Sequence, residues 1–433
     1  LFNLIIQPDC ITSLPNLIAR YHIMELRPIF SALCQHATVP LLVLLQVAIS
    51  LAILSNALFI ADTRHALIAR PSGIDAEADV FYLRIRNIRP IPFGERLVRY
   101  KRLQQALRTL PGVVAVASTN QMPMSSNGIT TLLTNTRQEH APRWHASAYY
   151  ADRDLLPTLG LKLVQGRNFV EQDIIEVDPD QSDEDPKVMI ITRALADQLY
   201  PQPGGALGQT LFIGSGVEAT GFRIIGVVER LQSILSGAES DPEFSVIAPA
   251  RLVTPSDMLV LRTAPGQRDQ VLPRVIARLR ELIGQAVAIQ SWTVEQNRSE
   301  HYRRDRALAL LLLGVSILLL LVTAGAIIGT SSLWVAQRRK QIGIRRALGA
   351  RKIDIVRYFL LENLLIGSGG VLLGCLLAGG LNQVLMAQMG QPALPASWLA
   401  GTALGLWLLG PLAALPPALR AANIAPALAT RSV

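Results

Sequence analysis

The chain has 433 residues and a formal net charge of +9, with 50% hydrophobic and 17% charged residues; its mean hydropathy is +0.33 and its pI about 9.8. So much apolar surface exceeds what one soluble core buries and points to the membrane, although the length alone suits two or three soluble domains. The positive charge is concentrated beside apolar runs, so no nucleic-acid partner is expected. Cys10, Cys34 and Cys375 have no spacing that suits a disulfide framework or a zinc site.

Residues 1–36 form an N-terminal segment expected on the cytoplasmic side. Within it, 1–23 show no clean periodicity, whereas Met24 opens the sensible run "MELRPIFSALCQH", so 1–23 read as an extended or a mis-called start. Residues 37–61, "ATVPLLVLLQVAISLAILSNALFIA", carry no charge and suit a first membrane helix, which needs about 20 apolar residues. The run is too long for a secretory h-region and no cleavage site follows it, so a retained anchor is expected.

Residues 62–306 read as one large α+β domain outside the membrane. "DVFYLRIRNI" (79–88) is strand-like, "ERLVRYKRLQQALRTL" (95–110) has helical spacing, and "PGVVAVAST" (111–119) restarts a strand after a Pro-Gly break. "KVMIITRALADQLYP" (187–201) predicts a strand leading into a short helix. "GQTLFIG" and "GFRIIGVVER" predict paired strands, and "DMLVLRT", a helix over 269–284 and "QAVAIQS" close the domain. The acidic insertion 171–186 reads as a solvated loop.

Chemistry is sparse in this domain. His140 and His145 with Asp152 and Asp154 lack the helical i, i+4 spacing of paired ligands, so no metal is expected. Asp178, Asp180, Asp183 and Asp185 lack the glycine and closing Glu of a calcium loop. No G-x-S-x-G, H-E-x-x-H or G-x-x-x-x-G-K-[ST] occurs, so the chain is expected to be non-catalytic and to hold no cofactor of its own.

Three further spans follow, at 307–335, 363–389 and 398–419, separated by a basic loop at 336–362 and closed by a tail at 420–433. Between Arg338 and Arg357 stand eight Lys/Arg and one acid, Asp354. The next loop, "QMGQPALPAS", has no Lys or Arg, so the positive-inside rule places the basic loop and both termini in the cytoplasm and the 62–306 domain outside. Gly343 and Gly349 bracket "IRRAL" and suit a short helical element that turns tightly. Ile342, Ile344, Leu348, Ile353 and Ile355 give it an apolar side for a partner or the lipid interface. Arg338, Arg339, Lys340, Arg345 and Arg346 suit acidic groups on a partner, or else anionic lipid head groups. Glu362, at a membrane boundary, is expected to snorkel or to pair with Arg357 or Arg351. Small-residue ladders, Gly325–Gly329, Gly370–Gly374–Ala378 and Gly401–Gly405, permit close helix approach within one protomer or between two. "DTRHALIAR" and "WTVEQNRSEHYRRDR" are expected to carry spans one and two outward as stiff connections.

"RRKQIGIRRALGARKIDI" (338–355), followed by Glu362 and by Gly369, Gly370 and Gly374, resembles the permease domain of the MacB/FtsX-like family of ABC transporters. The tail "PLAALPPALRAANIAPALATR" is similar to that family's final span, and "RLQQALRTLPGVVAVASTNQMPMS", "LPTLGLKLVQGRNF" and "FRIIGVVERL" resemble its periplasmic core domain. The resemblance implies a four-span inner-membrane permease that couples ATP hydrolysis on a separate ABC ATPase subunit to motion of the outer domain. It further implies a homodimer or a heterodimer with a similar permease, and export with a periplasmic adaptor and an outer-membrane channel. Regulation of envelope hydrolases, peptide sensing and lipoprotein release are the alternatives in the same fold. The ATPase-coupling residues it implies are Gln337, Arg338, Arg339, Lys340, Gln341, Ile342, Gly343, Arg345, Arg346, Gly349 and Ala350. Gln337 and Gln341 stand where family members often carry Glu.

Overall fold

Inside a bilayer a backbone must satisfy its own hydrogen bonds, and an uncharged apolar run does so as a helix. In a computed structural model that run forms α1, Thr38–Ile68, 31 residues long. About 20 residues cross the hydrocarbon core, so α1 continues past it through Asp62–Ile68. The structure describes residues 38–424, apart from 88–90, 126–127, 139, 179–183, 203, 215, 217–218, 235–242, 255 and 285–286. Cys10, Cys34, Asp180, Asp183 and most of the tail fall outside these. The chain divides into two units, an outer unit of Ala66–Arg306 and a helical unit formed by the remainder.

The outer unit is α+β. It runs β1 (Val80–Asn87), α2 (Phe93–Arg108), β2 (Val113–Ser118), β3 (Thr130–Thr134), β4 (Trp144–Tyr150), α3 (Leu155–Leu159), β5 (Leu163–Gly166) and β6 (Ile175–Val177). Next come β7 (Val188–Thr192), α4 (Arg193–Leu199), β8 (Thr210–Ile213), β9 (Thr220–Val228), β10 (Ser245–Ala248), β11 (Ala250–Leu252) and β12 (Ser256–Thr263). The unit closes with α5 (Arg268–Ile283), β13 (Val287–Thr293) and α6 (Val294–His301).

Four strands form an antiparallel sheet in the order β13-β1-β12-β2. Strand side chains alternate between faces. Phe81, Leu83 and Ile85 of β1 pack with Tyr100, Leu103 and Leu107 of α2 and Val271, Val275 and Leu279 of α5. Val80 and Tyr82 belong to the opposite face and join a core with Tyr149, Leu155, Leu159, Ile190 and Val228. That core includes strands of the second sheet, which runs β5-β9-β7-β10-β4-β3-β8 and closes on itself through a β8–β9 pairing. The ring of six strands leaves β5 as the sheet's one edge among the described residues and holds its own core, including Leu133, Ile191, Leu211, Phe222 and Val246.

The acidic insertion is only partly loop. Residues Ile175–Val177 form β6, paired in parallel with β11, and Asp178 is buried at 3.5 Å from Arg96. Asp152 accepts hydrogen bonds from Gln104 at 2.7 Å and from Ser118, while Asp154 pairs with Arg108. Those carboxylates are committed to the fold.

The helical unit continues with α7 (Arg303–Gln337), α8 (Arg339–Ala347), α9 (Lys352–Met389) and α10 (Ala396–Ala422). With α1, the helices α7, α9 and α10 are long and apolar enough to cross a membrane. The 336–362 stretch is mostly helical rather than loop: a break at Arg338, the short α8, a turn and the first turns of α9. Leu310, Leu311, Leu318 and Leu321 of α7 are exposed, as expected of a lipid-facing or partner-facing surface.

Asp257 on β12 is 3% exposed, and burial pushes its carboxyl up to about 6, with Arg99 at 3.4 Å opposing the shift. Its unfolded value lies near 4, so its contribution to stability is full below that pH and is lost as pH rises through about 6. The outer unit should therefore lose about 1 kcal/mol from this group between pH 5 and 7.5. Thermal unfolding of wild type and Asp257→Asn at both pH values checks this; equal pH slopes would remove Asp257 as the cause.

Candidate functional site

The basic element sits where α7 ends and α9 begins. Arg338 folds back beneath Trp334, with its guanidinium carbon 5.6 Å from the ring centroid. From there Nη1 donates to both carboxylate oxygens of Glu362, each at 3.0 Å. The Glu362 side chain has no exposed surface, so this one guanidinium is its charge partner. A buried pair of this kind is costly to break one-sidedly, because the remaining charge is left without compensation. The expected partners Arg357 and Arg351 do not take that place. Both are exposed, and the Arg351 backbone N–H bonds Asp354 at 2.9 Å, opening α9.

The next residues form the amphipathic α8. Ile342 is buried with Ile355, Val356 and Phe359 of α9 and Ala418, Ala421 and Ala422 of α10. Arg345, although exposed, lies over the Tyr358 ring of α9 at 5.0 Å, a cation–π contact. Gly343 lies buried within α8 and makes no turn. Gly349 does turn: its φ is +100, in the region that favours glycine, and Gly349 and Ala350 N–H groups close on the Arg346 and Arg345 carbonyls at 3.2 and 3.0 Å. Arg346 is half-buried and directs Nη1 to the Ala350 carbonyl at 3.5 Å. Lys352 Nζ donates to Asn423 at 2.8 Å, tying the turn to the end of α10.

The sequence-defined set therefore divides. Arg338, Ile342, Gly343 and, outside that set, Ile355 face inward and anchor the element. Gln337, Arg339, Lys340, Gln341 and Arg345 are exposed, Arg346 and Ala350 half-buried. Beside the exposed cations, Ile344 (44%), Leu348 (83%) and Ile353 (67%) stand open. The five isoleucines and leucines do not form one apolar side, because Ile342 and Ile355 are consumed by packing on α9 and α10. Sequence reasoning missed the Arg338–Glu362 pair. Their separation of 24 residues crosses a helix break, so no local spacing rule finds it.

The small-residue ladders also divide. A Cβ at Gly370 would lie 2.8 Å from Val47 Cβ, and one at Gly374 2.9 Å from Leu51 Cβ and 3.0 Å from the Ala48 carbonyl. Ala378 is fully buried, and its carbonyl accepts from Asn56 at 3.2 Å. This ladder packs α9 on α1 within one chain. At Gly325, Gly329, Gly401 and Gly405 nothing lies within 4 Å.

In the outer unit, Arg298 of α6 gathers the incoming and outgoing segments. It donates to the Ile68 and Arg70 carbonyls at 3.1 and 2.8 Å and to Glu77 at 2.6 Å. A capping box at Thr293 and Gln296 starts α6, and only Tyr302 separates α6 from α7. The second outward connection is therefore helical from Val294, with a break at Tyr302 and its leading Trp-Thr in β13.

Among the described residues, four helices long and apolar enough to cross a membrane, with an α+β domain inserted after the first and a basic element between the second and third, define a polytopic membrane protein carrying one large outer domain. Residues 42–281, more than half of the chain, match the MacB-like periplasmic core domain, and residues 313–426 match the FtsX-like permease C-terminal domain. The chain belongs to the MacB/FtsX-like permease family, whose members are inner-membrane proteins with a periplasmic domain. It is 27% identical over 284 residues to a macrolide export ATP-binding/permease protein MacB of Agrobacterium fabrum, covering 64% of this chain and 41% of that one. It is 26% identical to a pyoverdine export ATP-binding/permease protein PvdT of Pseudomonas savastanoi, covering 57% and 38%. The chain thus spans about two fifths of the length of the curated relatives it matches. The extracellular domain of a noncanonic ABC-type transporter YknZ from Gram-positive bacteria aligns with 49% of this chain and 100% of that one, at 14% identity and a TM-score of 0.31.

Gly374→Val should overpack the α1–α9 contact and cost about 1–3 kcal/mol, whereas Gly325→Val, in open space, should leave the chain's own stability unchanged. Unfolding in detergent by titration with SDS checks both. Equal stability of the two variants would remove the assigned contact.

Proposed function

We propose that this chain is the permease subunit of an ABC-type exporter, moved by an ATP-binding subunit that docks on α8 and the turn at Gly349. One observation carries this reading. Ile344, Leu348 and Ile353 are exposed among Arg339, Lys340 and Arg345 on an element whose other side is anchored by Arg338–Glu362. A rigid apolar knob ringed by cations suits a pocket with an acidic rim, because apolar anchors supply affinity and rim charges supply register. The names of the relatives, which pair an ATP-binding part with a permease, support the same reading.

In this reading the basic element and both termini are cytoplasmic, ATP binds the partner, and this chain performs no covalent chemistry. Closure of the ATPase presses on α8 and, through α7 and α9, displaces the periplasmic domain, which is mechanotransmission. The permease works as a homodimer or a heterodimer, with Gly325 and Gly329 on the open face of α7 as the close-approach point. The periplasmic domain meets an adaptor and, through it, an outer-membrane channel. The cargo is a compound for export, as the relatives' names say of those proteins.

A second reading has its own observation. Leu54, Leu58, Leu320, Trp398, Gly401 and Leu406 line an apolar groove of about 610 Å³ in the helical unit. A groove of that size suits an acyl chain, which favours a lipoprotein-release role over hydrolase regulation or peptide sensing.

Leu348→Glu with Ile353→Glu should weaken ATPase docking at least 30-fold, about 2 kcal/mol or more, while leaving α8 packed. Pulldown from native membranes, with mass spectrometry of the recovered proteins, reads this out. An ABC-type ATPase recovered by wild type and lost by the double variant supports the coupling reading. A permease recovered in quantity without any ATPase, bound or contiguous with it, overturns it. A co-purifying lipoprotein carrier in place of an adaptor would select the second reading.

A further inference from the structure

The outer unit contains a cleft that neither the fold nor the coupling element uses. It measures about 490 Å³ and is lined by Tyr82, Arg84, Met124, Trp292, Asn297 and Glu300, among others. That size falls within the usual range for small-molecule sites. Strand geometry builds one wall. Tyr82 of β1 and Trp292 of β13 are direct cross-strand partners, so their rings fall on the same face, stacked at 5.4 Å and 16°. Arg84 is two residues beyond Tyr82 and shares that face. Its guanidinium carbon lies 5.7 Å from the Trp292 ring centroid. Among the described residues no carboxylate forms an ion pair with Arg84. Glu300 at the rim is already paired with Arg303 at 3.3 Å, which offsets its charge.

Two further observations meet at the same cleft. Met124 holds φ at +59, a conformation a long side chain rarely adopts; strained backbone of this kind collects at ligand sites. Asn297 accepts the Tyr82 hydroxyl at 2.7 Å, while its buried Nδ2 has no partner among the described residues. A donor left over in a wall is uncommon in a purely structural packing.

We infer that this cleft binds a small amphipathic organic anion, its planar or apolar body on the Tyr82–Trp292 shelf and its charge against Arg84. An aromatic shelf supplies apolar contact with little side-chain entropy to lose. A guanidinium stacked on that shelf presents its edge donors to a carboxylate, sulfonate or phosphate. The site is independent of the exporter reading, since it requires only the outer unit.

The test uses the whole chain in lipid nanodiscs, with naphthalene-2-sulfonate as probe and equilibrium dialysis as readout. Empty nanodiscs measure partition into lipid. Saturable binding at one site per chain is expected, at least tenfold weaker in Arg84→Gln and lost in Ser299→Trp, which fills the cleft from its exposed rim. The cation of the same body, 2-naphthylmethylammonium, should show no saturable binding. Uptake equal to that of empty nanodiscs would overturn the inference. So would saturable binding that both variants retain, or equal binding of the two opposite charges. Circular dichroism of each variant, unchanged from wild type, separates loss of the site from loss of the fold.

Discussion

A single guanidinium holds a carboxylate that has no solvent of its own. Arg338 and Glu362, 3.0 Å apart, join the end of α7 to the interior of α9 across the basic element. Either charge alone would be costly where it is buried, so the pair ties the end of α7 to α9. Everything exposed on α8 is presented from this fixed base. In the proposed coupling, a push on the outward-facing cations and apolar residues of α8 would enter both α7 and α9.

The outer unit has a matching fixed point. Arg298 bonds the carbonyls at the end of α1, reaches Glu77, and sits one turn before α7 begins. The segments that enter and leave the domain are thus clipped to each other. Beyond them the closed six-strand ring and the four-stranded sheet share a continuous core through Tyr82, Tyr149 and Ile190. A continuous packed core of this kind resists gradual deformation. The two clips, one near each end of α7, are the points through which the proposed coupling would act.

The membrane helices were legible because uninterrupted apolar runs have few other uses, and β8 and β9 were legible because alternation and turn glycines agreed. The strands β3, β4 and β10 were not. β4 is built on Ala, Ser, His and aromatic residues and has no β-branched residue, and β10 is buried on both faces and carries no alternation. Within the basic element the sequence showed charge density but not direction. Arg338 and Arg339 are neighbours of identical type, yet the helix break between them sends one to Glu362 and the other to solvent. Gly343 and Gly349 likewise look equivalent in the sequence, and only Gly349 occupies the left-handed region. The residues that matter most to the account, Glu362 and Arg298, find their partners across 24 and about 230 residues, distances at which no periodicity informs.

Force transmission is tested most directly by an intramolecular distance between spin labels at Val114 in the outer unit and Met389 at the end of α9, both exposed positions. The measurement is made on the chain reconstituted with its ATPase in nanodiscs. Double electron–electron resonance should show the distance shift between the nucleotide-free and ATP-trapped states. In Arg298→Ala that shift should collapse while ATP is still hydrolysed. A distance that ignores nucleotide, or a shift that survives loss of Arg298 unchanged, would contradict the account.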